Sequence, residues 1–354
     1  MASTRVLVVE DSITVRKRLC EIIRSDPDLE VVGEAEDGRR AIELCRDLRP
    51  DVITMDMMLP IMTGLSTTEY VMAHFPTPIL IVSSSTNRGE VFKTYDALAA
   101  GAVDVLEKPP GDDTDGAWER RFLSTLKLVA KIRVITHLRA RLPANARATP
   151  SPSSMPPPRP RTVLVAVGAS TGGPGALLEV LRGLPSEFSL PLVFVQHISA
   201  VFGPSLVEWL DSQTTRRVAL ARDGESIHGV AGRVIVAPPD HHLVMERGCF
   251  RLTRTPERHS CRPSVDVLFE SLAVELGGAA AGCLLTGMGR DGASGLLQLR
   301  RAGSVTIAQD EATSVVYGMP REAVCLNAAS RVLPLGEIAA AIAGLDPRGR
   351  ERKP

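Results

Sequence analysis

The first residues able to do chemistry together are acids. Glu10 and Asp11 follow the apolar run VLVV, Asp56 follows DVITM, Ser83 ends ILIVS and Lys108 follows VDVLE. Brought to one place, three carboxylates repel one another by several kcal/mol unless a cation lies between them. Oxygen-only ligands favour Mg²⁺, which takes few carboxylates and keeps several waters. Such an ion neutralises an incoming phosphoryl group while Asp56 attacks it, and Ser83 can hydrogen-bond the product. Any one of these acids alone reads equally well as the cap of a following helix. Five coordinated positions do not.

A second set is centred on GASTGG, residues 168–173. A serine between glycines, where a strand turns into a helix, suits two chemistries. It exposes a nucleophilic hydroxyl, or its backbone N–H groups cradle a phosphate, and the stretch alone does not decide. A serine hydroxyl needs a base. His197, ending VFVQH, is the candidate, and Asp291 in TGMGRDG can orient the imidazole through its second nitrogen. The order Ser…His…Asp differs from the Ser…Asp…His of α/β-hydrolases, so G-x-S-x-G does not imply that fold. Gly168, Gly172 and Gly173 permit a sharp turn whose free N–H groups can stabilise an oxyanion, and Gly287 and Gly289 bare the N–H of Met288. No nucleotide-binding lysine follows the glycines, which favours the nucleophile. His241-His242 suggests a metal by eye, but neighbours on a strand face opposite ways, so a loop tip is expected. The arginines of RLTRTPERHSCRP (251–263) suit an acidic partner or a solvated face equally.

These residues need sheet edges to gather them. In the N-terminal part, apolar strands at 5–9, 31–35, 51–56, 79–83 and 103–107 alternate with helical patterns at 14–24, 38–48, 65–75 and 91–100, and a last long helix is expected from Ala117 to Leu142. Fully apolar strands alternating with helices predict a doubly wound five-stranded parallel sheet, reactive at the carboxyl ends of its strands. PANARATPSPSSMPPPRP (143–160) holds seven prolines and cannot bury a core, so it reads as an extended linker. Beyond it a second α/β pattern predicts a mainly parallel sheet. An antiparallel excursion is expected over 234–239 and 242–253, turning at Arg247-Gly248. The implied division is 1–125, a helix extension and linker at 126–160, a catalytic part at 161–345 and a tail at 346–354.

The length of 354 residues suits two domains, and 44% hydrophobic with 23% charged residues describes a globular chain. A net charge of zero gives no basic footprint for nucleic acid, which with the α/β pattern argues against a transcription factor. Six cysteines without a C-x-x-C pair read as reduced thiols of a cytoplasmic protein. MASTRVLVVED reads as a strand, not a signal peptide, and no run approaches the length of a membrane helix, so no membrane insertion is expected.

Glu10, Asp11, Asp56, Ser83 and Lys108 together resemble the receiver domain of two-component response regulators, a flavodoxin-like fold, over about 125 residues. The resemblance implies that Asp56 is the phosphoacceptor, that Glu10 and Asp11 hold Mg²⁺ with it, that Ser83 and Lys108 respond to the phosphoryl group, that a histidine kinase is the phosphodonor, and that the bond before Pro109 is cis. The position three before the lysine, commonly Tyr or Phe in receivers, is Val105. GASTGGP (168–174), VQHI (195–198), APPDHHL (237–243), RPSVDVLF (262–269), LLTGMGRDG (284–292) and AQDEATSVVYGMPREA (308–323) resemble the catalytic domain of the chemotaxis protein-glutamate methylesterase family, CheB. This implies Ser170 as nucleophile, His197 as general base, Asp291 as orienting acid, and Met288 and Thr171 at the oxyanion. It implies hydrolysis of glutamate γ-methyl esters on chemoreceptors and deamidation of selected glutamines, without a cofactor. From the receiver–linker–hydrolase order, the receiver is expected to cover the Ser170 edge at rest and to open it on phosphoryl transfer to Asp56. The rival expectations are an esterase acting on a non-receptor protein and a phosphate- or nucleotide-binding output module.

Overall fold

The computed structural model describes residues 3–84, 88–109, 116–132 and 161–346. In the N-terminal half the chain runs β1 (Thr4–Val9), α1 (Ile13–Arg24), β2 (Leu29–Ala35), α2 (Gly38–Leu48), β3 (Val52–Met55), α3 (Gly64–His74), β4 (Ile79–Ser83), α4 (Arg88–Ala99), β5 (Asp104–Glu107) and α5 (Ala117–Val129). The strands pair in parallel in the order β2-β1-β3-β4-β5. β3, β4 and the second half of β1 are buried because helices cover both faces, which is why these strands are almost uninterrupted aliphatic runs, whereas the edge strand β2 is only partly buried. Ser12, Asp37 and Thr63 cap the next helices by accepting from Val15, Arg40 and Ser66 N–H. The strand order reverses between β1 and β3, so the residues after those two strands open onto one crevice. The helix expected to run through Leu142 ends at Val129, with Ala130 as its C-cap and a turn at Ala130–Lys131; residues 133–142 and the Pro-rich linker lie outside the described residues.

The C-terminal half runs β6 (Leu164–Ala169), α6 (Gly173–Gly183), β7 (Leu192–Gln196), α7 (Gly203–Gln213), β8 (Val218–Leu220), β9 (Val234–Val236), β10 (His242–Glu246), β11 (Cys249–Thr253), α8 (Val265–Glu275), β12 (Ala280–Leu284), α9 (Ala293–Arg301), β13 (Val305–Gln309), α10 (Met319–Cys325), β14 (Arg331–Leu333) and α11 (Leu335–Ala343). Seven strands form a parallel sheet in the order β14-β13-β12-β6-β7-β9-β8. β10 and β11 form the expected separate hairpin, with Arg247 and Gly248 at φ 51° and 73° as its two turn residues. The strand at Val234–Val236 does not belong to that excursion. It is an inner strand of the parallel sheet, pairing with both β7 and β8. Its three apolar residues are buried, and a run so short gives no alternation to distinguish the two settings. β6 is the topological centre, with β12 on one side and β7 on the other, so the carboxyl ends of these three strands face a common crevice.

The halves pack through α4. Tyr95 is fully buried against Trp209 of α7 (centroids 5.3 Å apart), its hydroxyl donates to the carbonyl of Phe202, and Trp209 Nε1 donates to Asp96 Oδ1 at 2.8 Å. Tyr95 and Leu98 lie in one continuous apolar cluster with Leu177, Leu181 and Phe202 of the other half.

Candidate active site and phosphoacceptor site

Ser170 leaves β6 in a turn that leads straight into α6. Its N–H donates to Thr286 O at 3.0 Å, and Gln196 Nε2, from the end of β7, donates to its carbonyl at 2.8 Å. Gly173 is required here: a Cβ on it would stand 1.9 Å from Gln196 Oε1. Gly287 plays the same part from the β12 side, where a Cβ would lie 2.8 Å from Ser170 Cβ. Gly173 thus leaves room for the Gln196 side chain, and Gly287 lets its backbone approach that of Ser170.

Asp291 is 2% exposed, yet it is the most heavily hydrogen-bonded acid of the site. Oδ1 accepts from Ser264 Oγ at 2.7 Å and Asp266 N–H at 3.1 Å. Oδ2 accepts from Val265 N–H at 2.7 Å and lies 2.9 Å from His197 Nε2. These donors belong to the cap and first turn of α8, where free N–H groups and the helix dipole favour an anion. Burial alone would raise the Asp291 carboxyl, but His197, Ser264 and Val265 hold it below its ordinary range. For His197, burial opposes the charge, while Asp291 and then Cys261 outweigh it and lift the imidazole to about 9. Its Nδ1 lies 3.7 Å from Cys261 Sγ, and no hydrogen bond among the described residues joins His197 to Ser170 Oγ. The three residues thus stand after adjacent strands, with the Asp–His contact formed and the Ser–His contact not formed.

Met288 is exposed, while Thr171 lies beside the serine with its hydroxyl donating across the domain boundary to Asp104 Oδ2 at 3.3 Å. Among the described residues no hydrogen bond uses the N–H of Thr171 or of Met288. A cleft of about 310 Å³ contains Ser170, Thr171, His197 and Met288, and Asp104, Val105, Leu106 and Arg121 wall it from the receiver side. The position at which receivers commonly carry an aromatic side chain therefore faces the serine edge as valine.

Three supports escaped the sequence reading. Ser264 and the amides after it look like an ordinary helix cap. Cys261 looks like one of six scattered thiols. His242 begins β10 fully buried, contrary to the expected loop tip, because its Nδ1 accepts from Ser264 N–H at 3.1 Å and its Nε2 lies 3.1 Å from Pro256 O. The available signal was a cap serine followed two residues later by an acid in PSVDV, just after the arginine-rich stretch.

In the receiver, Lys108 Nζ stands 3.0 Å from both Glu10 Oε1 and Asp56 Oδ2. Glu10 is raised to about 7, first by burial and then by Asp56, against the opposing pull of Lys108. Asp56 is also raised, chiefly by burial, although Lys108 and Met57 N–H, 2.7 Å from Oδ1, pull it down. Carboxylate oxygens of Glu10, Asp11 and Asp56 lie within 4.8 Å of one another, and the buried Glu10 Oε2 has no hydrogen-bond partner among the described residues. Ser83 does not face these acids with a free hydroxyl. It donates to Glu90 Oε1 at 2.7 Å, and Glu90 also accepts from Ser84 N–H and Oγ. The cis bond expected before Pro109 is absent, Arg262–Pro263 being the cis peptide among the described residues, and Lys108 reaches both carboxylates without it.

A family model described as CheB methylesterase matches residues 165–342, and one described as response regulator receiver domain matches residues 6–114. The protein-glutamate methylesterase/protein-glutamine glutaminase 2 of Anaeromyxobacter dehalogenans is 44% identical over 342 residues, covering 96% of each chain. Its counterpart of the same name in Pseudomonas aeruginosa is 46% identical over 343 residues, covering 95% of each. The crystal structure of the Thermotoga maritima CheB methylesterase catalytic domain is 35% identical, with a TM-score of 0.50, covering 52% of this chain and 98% of that one. Identity at this level across almost the whole length shows that the chain belongs to the CheB methylesterase family, with a response regulator receiver domain ahead of the catalytic half.

Proposed function

We propose that the chain hydrolyses glutamate γ-methyl esters on methyl-accepting chemoreceptors, and deamidates receptor glutamines, under control of phosphoryl transfer to Asp56 from a histidine kinase. The observation that carries the hydrolytic part is the placing of Ser170, His197 and Asp291 after the adjacent strands β6, β7 and β12, with Asp291 clamped on the start of α8. In this reading Ser170 Oγ attacks the ester carbonyl carbon and its proton passes to His197. The N–H groups of Met288 and Thr171 donate to the oxygen that becomes negative. His197 returns the proton to the departing methanol, or to ammonia from a glutamine. Water then repeats the sequence on the acyl-serine and releases glutamate. Asp291 keeps the imidazole in its tautomer and stabilises its charge.

The receiver covers residues 1–125 in this reading, the helix extension and linker 126–160, the catalytic part 161–345 and the tail 346–354. Glu10, Asp11 and Asp56 suit Mg²⁺, because their oxygens are hard, lie close together and include a buried one without a partner. The bound ion would supply charge neutralisation for phosphoryl transfer. Lys108 holds Asp56 in place, and Ser83 must leave Glu90 to meet a phosphoryl oxygen. No cofactor is required for hydrolysis. The soluble setting expected is the cytoplasm, and no helix among the described residues is long and apolar enough to cross a membrane.

The test is methanol release from methylated receptor, with and without a phosphodonor, by the full chain and by Ser170→Ala. Release by the wild type, stimulated by the phosphodonor and abolished by the substitution, is expected. Release that survives Ser170→Ala would sink the mechanism.

A further inference from the structure

Both ring nitrogens of His197 are engaged. Nε2 lies 2.9 Å from Asp291 Oδ2, which leaves Nδ1 as the ring atom able to accept the Ser170 proton. That atom lies 3.7 Å from Cys261 Sγ. The thiol is held there from several sides. Arg258 and Cys261 exchange backbone hydrogen bonds at 3.1 and 2.9 Å across a turn in which His259 and Ser260 have φ of 53° and 59°. Arg258 grips Glu270 of α8 with two bonds of 2.6 and 2.7 Å, and His259 Nε2 meets Asp266 Oδ2 at 3.1 Å. The same helix, α8, therefore fixes both partners of the imidazole, Asp291 on one nitrogen through its start and the Cys261 turn on the other through Asp266 and Glu270.

We propose that Cys261 is a positioning residue of the resting enzyme, its thiol occupying Nδ1 of His197 and keeping the base from Ser170 until the ring or the 258–261 turn moves. The inference rests on His197 being the general base. The one S–H can donate to His259 O at 3.4 Å or to a neutral Nδ1 at 3.7 Å, and an imidazolium donates from Nδ1 to the sulfur; in each case the sulfur stands on the Nδ1 side of the ring. The lift of His197 to about 9 agrees with this, since Asp291 and Cys261 both favour the charged ring over the opposing effect of burial. Cys261 also lines the cleft shared with Asp104, Val105 and Arg121, so a shift of the receiver changes what packs against the turn.

A fluorophosphonate probe that labels activated serines reads the consequence directly. Its rate on Ser170 is measured from pH 5.5 to pH 10 in the full-length, unphosphorylated chain. Cys261→Ala and Cys261→Val are both expected to label about three to ten times faster than wild type at neutral pH, with the rising limb of the pH profile about one unit lower, the effect of one lost hydrogen bond. Cys325→Ala, at an exposed cysteine, should match wild type in both respects. A Cys261 variant whose rate is unchanged or slower, or whose limb stays in place, overturns the proposal. His197→Gln tests the underlying reading separately. If Ser170 still labels at the wild-type rate there, the base assignment falls whatever the Cys261 variants do.

Discussion

Each half of the molecule buries carboxylates at the carboxyl edge of a parallel sheet, and their electrostatics are opposite. Asp291 has four donors and stays below the ordinary carboxylate range in spite of its burial. Glu10 and Asp56, equally buried, are raised; they share Lys108, and apart from it Glu10 accepts from Ser12 N–H and Asp56 from Met57 N–H. Asp291 is satisfied by the protein itself. The receiver acids are left short of partners, a shortage that under the proposed function a cation and a phosphoryl group would relieve. A pre-organised site and a switchable one thus differ in how completely the fold pairs a charge, not in how deeply it buries one.

Asp291→Asn breaks the comparison on the satisfied side. The amide cannot accept at both oxygens and favours the wrong imidazole tautomer, so kcat should fall by about 10⁴, the scale known for orienting acids of this type. Methanol release in the pre-steady state checks it, and a fall of less than about tenfold would show that Asp291 does not orient the base.

On the unsatisfied side the test is pH. An acid whose folded value is raised holds its proton more tightly in the fold than in the unfolded chain. The stability it contributes is therefore present below about 4.5 and is lost as pH rises through about 7. In Mg²⁺-free buffer the receiver should lose about 2–3 kcal/mol between pH 5 and pH 7.5, read by urea unfolding. Glu10→Gln should flatten that slope, and Mg²⁺ should offset the loss at the upper pH. Equal stability at both pH values in the absence of Mg²⁺ would remove the contrast between the two sites.

The smallest effect belongs to Ser264, which caps α8 and donates to Asp291. Ser264→Ala should lower stability by about 1 kcal/mol and kcat/KM by about tenfold, with KM nearly unchanged. A loss confined to stability would mean that the α8 amides alone hold the acid.

Much of this was legible in the sequence, for one physical reason. In parallel sheets, chemistry gathers where strands end, and apolar runs mark those ends plainly. Glu10, Asp56, Lys108, Ser170, His197 and Asp291 each stand within a few residues of such a run. What stayed hidden is what only packing determines. Cys261 and Asp291 meet one imidazole from 30 residues apart, and His242 reaches Ser264 from a separate hairpin. The engagement of Ser83 with Glu90 also had no local sign, because α4 must first fold back over β4. The misreading of Val234–Val236 has the opposite origin: three buried residues carry too little pattern to distinguish an inner parallel strand from a hairpin arm.

The apolar cluster that runs unbroken from Tyr95 and Leu98 into Leu177, Leu181 and Phe202 has a calorimetric consequence. Two units that share buried surface of this kind melt together, because unfolding either exposes the other. The resting chain should therefore absorb heat in a single transition. Phosphorylation that separates α4 from α7 should split it into two, the heat capacity trace reporting domain release without reference to catalysis.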